Sequence, residues 1–181
     1  MTPDTPPTII IDSREQTPLT FSRLPSIGGT LTTGDYSFAG GEELFSIERK
    51  SIPDLVACCM GNNRERFERE LHRLRGFRFK RLLVIGTRQE IEAGNYRSNI
   101  PPAAVLHTLS AFECRYDCPV VFAPSSADAA KLVESWAFWF SREITKTFEA
   151  FTKGATLGGC QHTNPLAIPP PSGKEGIKNA S

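Results

Sequence analysis

Two short stretches hold residues whose types and spacing suit chemistry. They are "TTGDYSF", residues 32–38, and "LFSIERKSIPDL", residues 44–55. In the second, an apolar run ends in Glu48, Arg49 and Lys50 just before a helix start. Between the two lies the Gly-rich "AGGEE", which reads as a hairpin connection. With the loop at residues 40–43 and Ala39 facing Leu44, Asp35 falls opposite Glu48. Directly opposed residues share a face, with Cβ atoms about 4.5–5.5 Å apart. Lys50, two further along, joins that face. A slip of one residue would undo the arrangement. Two carboxylates this close repel, and in an interior they need a proton, a cation or water. A divalent ion with oxygen ligands satisfies both. Mg²⁺ takes one or two carboxylates and keeps several waters, some replaceable by a substrate phosphate. A nearby lysine then orients or deprotonates the attacking water, or steadies charge on the phosphate. This is metal-assisted phosphodiester hydrolysis. A plainer reading stands beside it: "ERK" alone is a surface salt bridge from Glu48 to Lys50 or Arg49, and Asp54 only caps its helix.

The elements that must position these residues follow from pattern. "TIIID", residues 8–12, reads as a buried strand, and a loop with Pro18 and Pro25 follows. "DYSF" and "ELFSIERK" are the hairpin strands. "SIPDLVACC" opens a helix with Ser51 as N-cap, Pro53 in the first turn and Asp54 at the third position of a capping box. "NRERFERELHRLRG" is helical, with Phe67, Leu71 and Leu74 on one stripe and Gly76 at its end. "RLLVIG" reads as a central strand, "RQEIEAG" as a short helix or turn, "PPAAVLHTLSAFECRY" as a helix and "CPVVFAP" as a buried strand. "SSADAAKLVESWAFWFSREITKTF" is a long helix with a Ser cap. One strand, a hairpin, then alternating helices and strands predict an α/β domain with a mixed central sheet flanked by helices. Residues 1–7 read as a disordered lead, 8–152 as the domain, and 153–181, rich in Gly, Pro and polar residues without periodicity, as a disordered tail.

The 181 residues suit one domain, and 39% apolar content is enough for a core. A net charge of +1 announces no nucleic-acid partner by itself, so the distribution of charge matters more. Five cysteines in no framework spacing point to a reducing compartment. Cys114 and Cys118 lack a matching Cys or His pair and read as ordinary thiols rather than a zinc site. No run reaches membrane-span length and no signal-peptide core opens the chain. The expectation is a soluble intracellular, cytoplasmic protein.

"GDYSF…FSIERKSIPD" resembles the signature of the XPF-type structure-specific nucleases: Gly-Asp, then Glu-Arg-Lys, then an Asp four residues after the Lys. The matching residues are Gly34, Asp35, Glu48, Arg49, Lys50 and Asp54. The family's Asp-x-Arg-Glu after its first strand corresponds to Asp12, Ser13, Arg14 and Glu15. The resemblance runs from about Thr8 to Phe148 and implies a restriction-endonuclease-like three-layer α/β/α core. It implies a Mg²⁺-dependent DNA endonuclease, with Mn²⁺ as substitute, that cuts branched, flap or fork DNA in repair, recombination or replication. Asp35 and Glu48 would be metal ligands, with the Arg49 backbone carbonyl another and Asp12 a further candidate. Lys50 would be the catalytic lysine. Asp12, Arg14, Glu15 and Asp54 would support the site, and the Arg14 fork suits a phosphate. The residues after Phe148 are too few for the tandem helix-hairpin-helix or helicase domains that many relatives carry. Such a single-domain form suits a bacterium or a phage. Two alternatives stay open: a non-catalytic DNA-binding or scaffold subunit, and a junction-resolvase or restriction-type nuclease of the same fold.

Between Arg64 and Arg81 there are eight Lys or Arg and three Glu. Helical spacing of opposed charges is often only a solvated face. Beside a nuclease motif, Arg64, Arg66, Arg69 and Arg73 become candidate DNA contacts, as does Arg97. His72 and His107 read as packing or surface residues. On the helix from Ser126 to Phe148, a wheel places Ala129, Val133, Trp136, Ala137, Phe140, Ile144 and Phe148 on one stripe against the sheet. Leu132 and Trp139 extend it, and Phe138 points nearly opposite. That aromatic excess, together with pairing in the XPF-type family, predicts a homodimer through the helices of the C-terminal half.

Overall fold

The computed structural model describes residues 5–157. Six strands form one mixed sheet in the order β2-β1-β3-β4-β5-β6. They are β1 (Ile9–Asp12), β2 (Ser26–Gly29), β3 (Tyr36–Phe38), β4 (Phe45–Ser51), β5 (Phe79–Ile85) and β6 (Val120–Ala123). β3 runs antiparallel to both β1 and β4. The pairs β1–β2, β4–β5 and β5–β6 are parallel. Parallel neighbours need crossovers, which α1 (Ile52–Ala57) with α2 (Gly61–Leu74), then α3 (Arg88–Glu92) with α4 (Pro102–Tyr116), supply. The last helix, α5, runs Ser126–Leu157.

Alternation along β4 and β5 decides which layer each side chain joins. Leu82 and Val84 pack with Leu55, Phe67, Leu71 and Phe112 beneath α1, α2 and α4. Phe45, Ile47 and Leu83 pack with Tyr36, Ala129, Val133 and Ala137 beneath α5. The small α5 residues let that helix lie close, and rings fill the flanks. Phe45 stacks on Phe79 with centroids 4.8 Å apart, and Phe140 closes on both. The result is the mixed sheet flanked by helices that the element order predicts, in the three layers that the family resemblance implies.

Three expectations change in detail. The stretch expected as loop contains β2: "SIGG" is a mostly exposed edge strand with two glycines, so no apolar pattern marks it. α5 continues to Leu157, past the expected tail start at 153, and residues 158–181 and 1–4 lie outside those described. Phe148 does not cover the sheet; it is 69% exposed, as the helix has by then run beyond the strands it packs on.

The loop before β2 is tied down by one acid. Buried Glu134 of α5 accepts from the backbone N–H groups of Ser22, Arg23 and Leu24 at 2.8, 2.6 and 3.1 Å. Charge-assisted bonds of this kind are worth about 1.5–3 kcal/mol each and do not sum simply. Glu134→Ala leaves three donors unpaired and should cost about 3 kcal/mol, roughly 6–12 °C in melting temperature. A thermal melt checks this, and a shift below about 2 °C would contradict it.

Candidate active site

The site forms where β3 meets β4. Tyr36 pairs with Ile47, the register expected from the loop length. The ladder stops one residue early, however. Asp35 donates its N–H to the Ile47 carbonyl at 2.8 Å instead of pairing directly with Glu48. Its carboxylate turns to the strand and accepts the Arg49 N–H at 2.7 Å. Gly34 makes this turn. Its φ is +81°, and a Cβ there would meet Ser46 Oγ at 2.2 Å and the Ile47 carbonyl at 3.0 Å. The "GD" pair is thus a backbone requirement followed by a ligand-type side chain.

Glu48 and Lys50 stand on the α2 face of β4, next to Asp35 in one cleft. Lys50 Nζ hydrogen-bonds Glu48 Oε1 and lies 5.1 Å from the centre of the Phe67 ring. The adjoining part of the cleft, about 370 Å³, is lined by Arg14, Asp35, Lys50, Asp54, Arg66 and Glu70 among others. Burial and then the Glu48 charge push the Asp35 carboxyl up to about 7. Burial also holds Glu48 above the ordinary carboxylate range despite Lys50. Burial works against the Lys50 ammonium, but the surrounding acids, Glu48 first and then Asp35 and Glu70, together raise its pKa. The cleft therefore holds two acids that resist full ionisation together, and of the described side-chain cations that line it only Lys50 hydrogen-bonds either one.

The other expected residues take distinct places. The Arg49 side chain turns to the rim of the same cleft, where Glu15 takes its Nε at 3.1 Å and Thr17 its terminal nitrogen at 2.9 Å. This ion pair fastens the loop after β1 to β4. Both Asp12 oxygens are engaged, by Arg14 Nε at 2.7 Å and by the Leu31 N–H at 2.7 Å. The Arg14 hydrogen bond holds the Asp12 carboxyl down at about 2. Asp12 thus braces Arg14, whose side chain stays 69% exposed, and both residues line the cleft beside Asp35 and Glu48. Asp54 caps α1: its N–H bonds Ser51 Oγ at 3.3 Å and its carboxylate accepts the Ser51 hydroxyl at 2.6 Å. It also lines the cleft, so the capping and site readings coexist.

The basic run does not form one stripe. Arg66 and Arg73 line the cleft. Arg64 is held by Glu68 at 3.0 Å and lies over Phe112, facing α4. Arg69 is exposed on α2, and Arg97 is exposed ahead of α4, outside the cleft lining. Lys80 pairs with Asp117 at 2.7 Å beneath the α2 layer, whereas Arg81 stacks on Phe79 and Trp136 beneath α5. Strand alternation in β5 divides them.

A divalent cation suits the remaining donors. Asp35 and Glu48 each keep one oxygen beyond the bonds named above. The N–H of Arg49 faces β3, so its carbonyl does too, past the last paired residue of that strand. Among the described residues no group of three or more His, Cys, Asp or Glu is set for a metal; two carboxylates and a carbonyl would be a donor count that Mg²⁺ accepts with waters. Sequence reasoning passed over Glu70, counted only as an offset in the basic run. Its Oε2 lies 3.9 Å from Lys50 Nζ. Its spacing three residues after Phe67 was the available signal.

Residues 11–135 match the ERCC4 domain. The chain belongs to this family. It is an XPF-type nuclease domain, and the matched span holds every motif residue from Asp12 to Asp54. No curated protein matches the chain. Among solved structures, XPF from Aeropyrum pernix is 19% identical with a TM-score of 0.57, covering 72% of this chain and 60% of that one. The same archaeal protein in complex with DNA gives 19% identity and a TM-score of 0.58, covering 76% and 66%. The chain thus spans about two thirds or less of the solved relatives. Their likeness establishes the restriction-endonuclease-like fold of this ERCC4 domain.

Proposed function

We propose that this ERCC4 domain is a divalent-metal-dependent endonuclease that hydrolyses phosphodiester bonds in branched, flap or fork DNA. The observation that carries the reading is the pair of half-buried Asp35 and buried Glu48 with Lys50 beside it in an open cleft. Asp35, Glu48 and the Arg49 carbonyl would hold Mg²⁺ or Mn²⁺, and the ion would supply Lewis-acid stabilisation of charge on the reacting phosphate. Lys50 places a positive charge where that negative charge grows. Arg14, Arg66 and Arg73 reach the cleft and neutralise neighbouring phosphates. Glu15 and Asp12 keep Arg49 and Arg14 in position. The archaeal relative solved with DNA supports a DNA partner.

Cleavage of labelled flap, fork, nicked, four-way and linear duplex DNA with Mg²⁺, Mn²⁺ or EDTA tests the reading. Metal-dependent cutting of branched DNA is expected. Binding without cutting in every metal would favour a scaffold subunit, and a strict four-way preference would favour a resolvase.

The domain is also proposed to pair with a second copy through α5. Trp139 is 59% exposed and packs edge-on against half-buried Phe138, their ring centroids 5.4 Å apart. Together they border an apolar groove with Pro6 and Leu24. Trp139, rather than Phe138, is the protruding ring. Light scattering at micromolar concentration should give a dimer mass, and Phe138→Glu with Trp139→Glu should give a monomer. A monomeric wild type would refute the pairing.

A further inference from the structure

Lys50 has a second carboxylate within reach. Its ammonium bonds Glu48, and Glu70 Oε2 lies 3.9 Å from the same nitrogen, arriving from α2 across the cleft. Glu70 is itself steadied by Arg66 one turn earlier, at 3.4 Å. Phe67, on the same helix, lies under the ammonium. This geometry creates a conflict for a cation at Glu48. Glu48 keeps Oε2 for the ion, but the Lys50 ammonium on Oε1 would stand beside it, and like charges so close repel strongly. A lysine that remained on Glu48 would oppose the metal.

We infer that Glu70 is a positioning residue that receives the Lys50 ammonium when a divalent ion takes Glu48. The inference rests on the metal-site reading given above. Lys50 need move only the short distance between two acids, its ammonium staying by the Phe67 ring and its charge paired throughout. Glu70 acts through Lys50 and does not ligate the ion.

A double-mutant cycle on Mn²⁺ binding, read by calorimetry without DNA, tests this. Asp35→Asn serves first as the control for the site itself. If wild type binds Mn²⁺ and Asp35→Asn does not, the metal-site reading stands. Glu70→Gln, which keeps the shape and removes the charge, should then weaken Mn²⁺ about tenfold. Lys50→Ala should bind Mn²⁺ more tightly than wild type, because the competing charge is gone. Glu70→Gln added to Lys50→Ala should change affinity less than about twofold. Glu70→Asp should recover part of the loss, and melting curves should show each variant folded. An equal effect of Glu70→Gln in both backgrounds would make Glu70 a ligand, and no effect in either would give it no part. Both results overturn the inference while leaving the metal site intact. Absence of Mn²⁺ binding in wild type would overturn the two together.

Discussion

Asp35→Asn should abolish cleavage, by at least about 10³-fold, and yet stabilise the metal-free protein. The first effect follows from the loss of a carboxylate that the ion requires. The second follows from linkage. The Asp35 carboxyl is raised from 3.8 to about 7 in the fold, chiefly by burial and then by Glu48. The folded state therefore holds a proton that the unfolded chain has already lost. Stability from that proton is complete below pH about 4 and disappears as pH rises through about 7. At pH 8 the Asp35 carboxyl is ionised in a half-buried place beside Glu48, and Asn removes that charge. In EDTA at pH 8 the variant should melt higher, by about 1 kcal/mol or roughly 2–4 °C. DNA affinity should change little, because phosphate contacts elsewhere supply most of it. Single-turnover cleavage with parallel melts checks both. A variant that cut at near wild-type rate in Mg²⁺ would remove Asp35 from the metal site. A lower melting temperature in EDTA would show that the carboxylate is structural. Glu48→Gln should lose cleavage to a similar degree.

Lys50→Ala should slow cleavage by about 10³-fold at saturating metal, since its charge acts on the transition state. Its stability signature differs from that of Asp35→Asn. Removing the ammonium leaves Glu48 buried without its partner, and breaking such a pair is destabilising. The melting temperature should therefore fall in EDTA and recover in Mg²⁺, where the ion replaces the lost charge. The cleavage rate should not recover with it. Normal turnover by the folded fraction would instead make Lys50 a salt-bridge partner only, the plain reading of "ERK".

The site was legible in sequence to the extent that it is local. A short hairpin loop fixes which residues face one another, so Tyr36 against Ile47 followed from counting residues. Period-two alternation then put Glu48 and Lys50 on one face. The Ser51 cap and the Phe67–Leu71–Leu74 stripe were equally local, since each depends on three or four neighbouring residues. What escaped was whatever depends on distant parts of the chain. β2 carries no apolar pattern because it is an exposed edge, and only pairing with β1 makes it a strand. That the Leu31 N–H and Arg14 both bond Asp12 depends likewise on a residue nineteen positions away.

The sequence by itself determined the α/β class, the hairpin, and the Asp35, Glu48 and Lys50 constellation, because each rests on short-range geometry. Tertiary structure decided the rest. The parallel crossover from β4 to β5 lays α2 over the hairpin, and this brings Glu70 and Arg66 to Lys50. The same crossover turns Arg64 towards α4, and strand alternation sends Lys80 and Arg81 to opposite layers. A run of charge in sequence has no direction until the elements carrying it pack, because burial selects the face that each side chain can occupy.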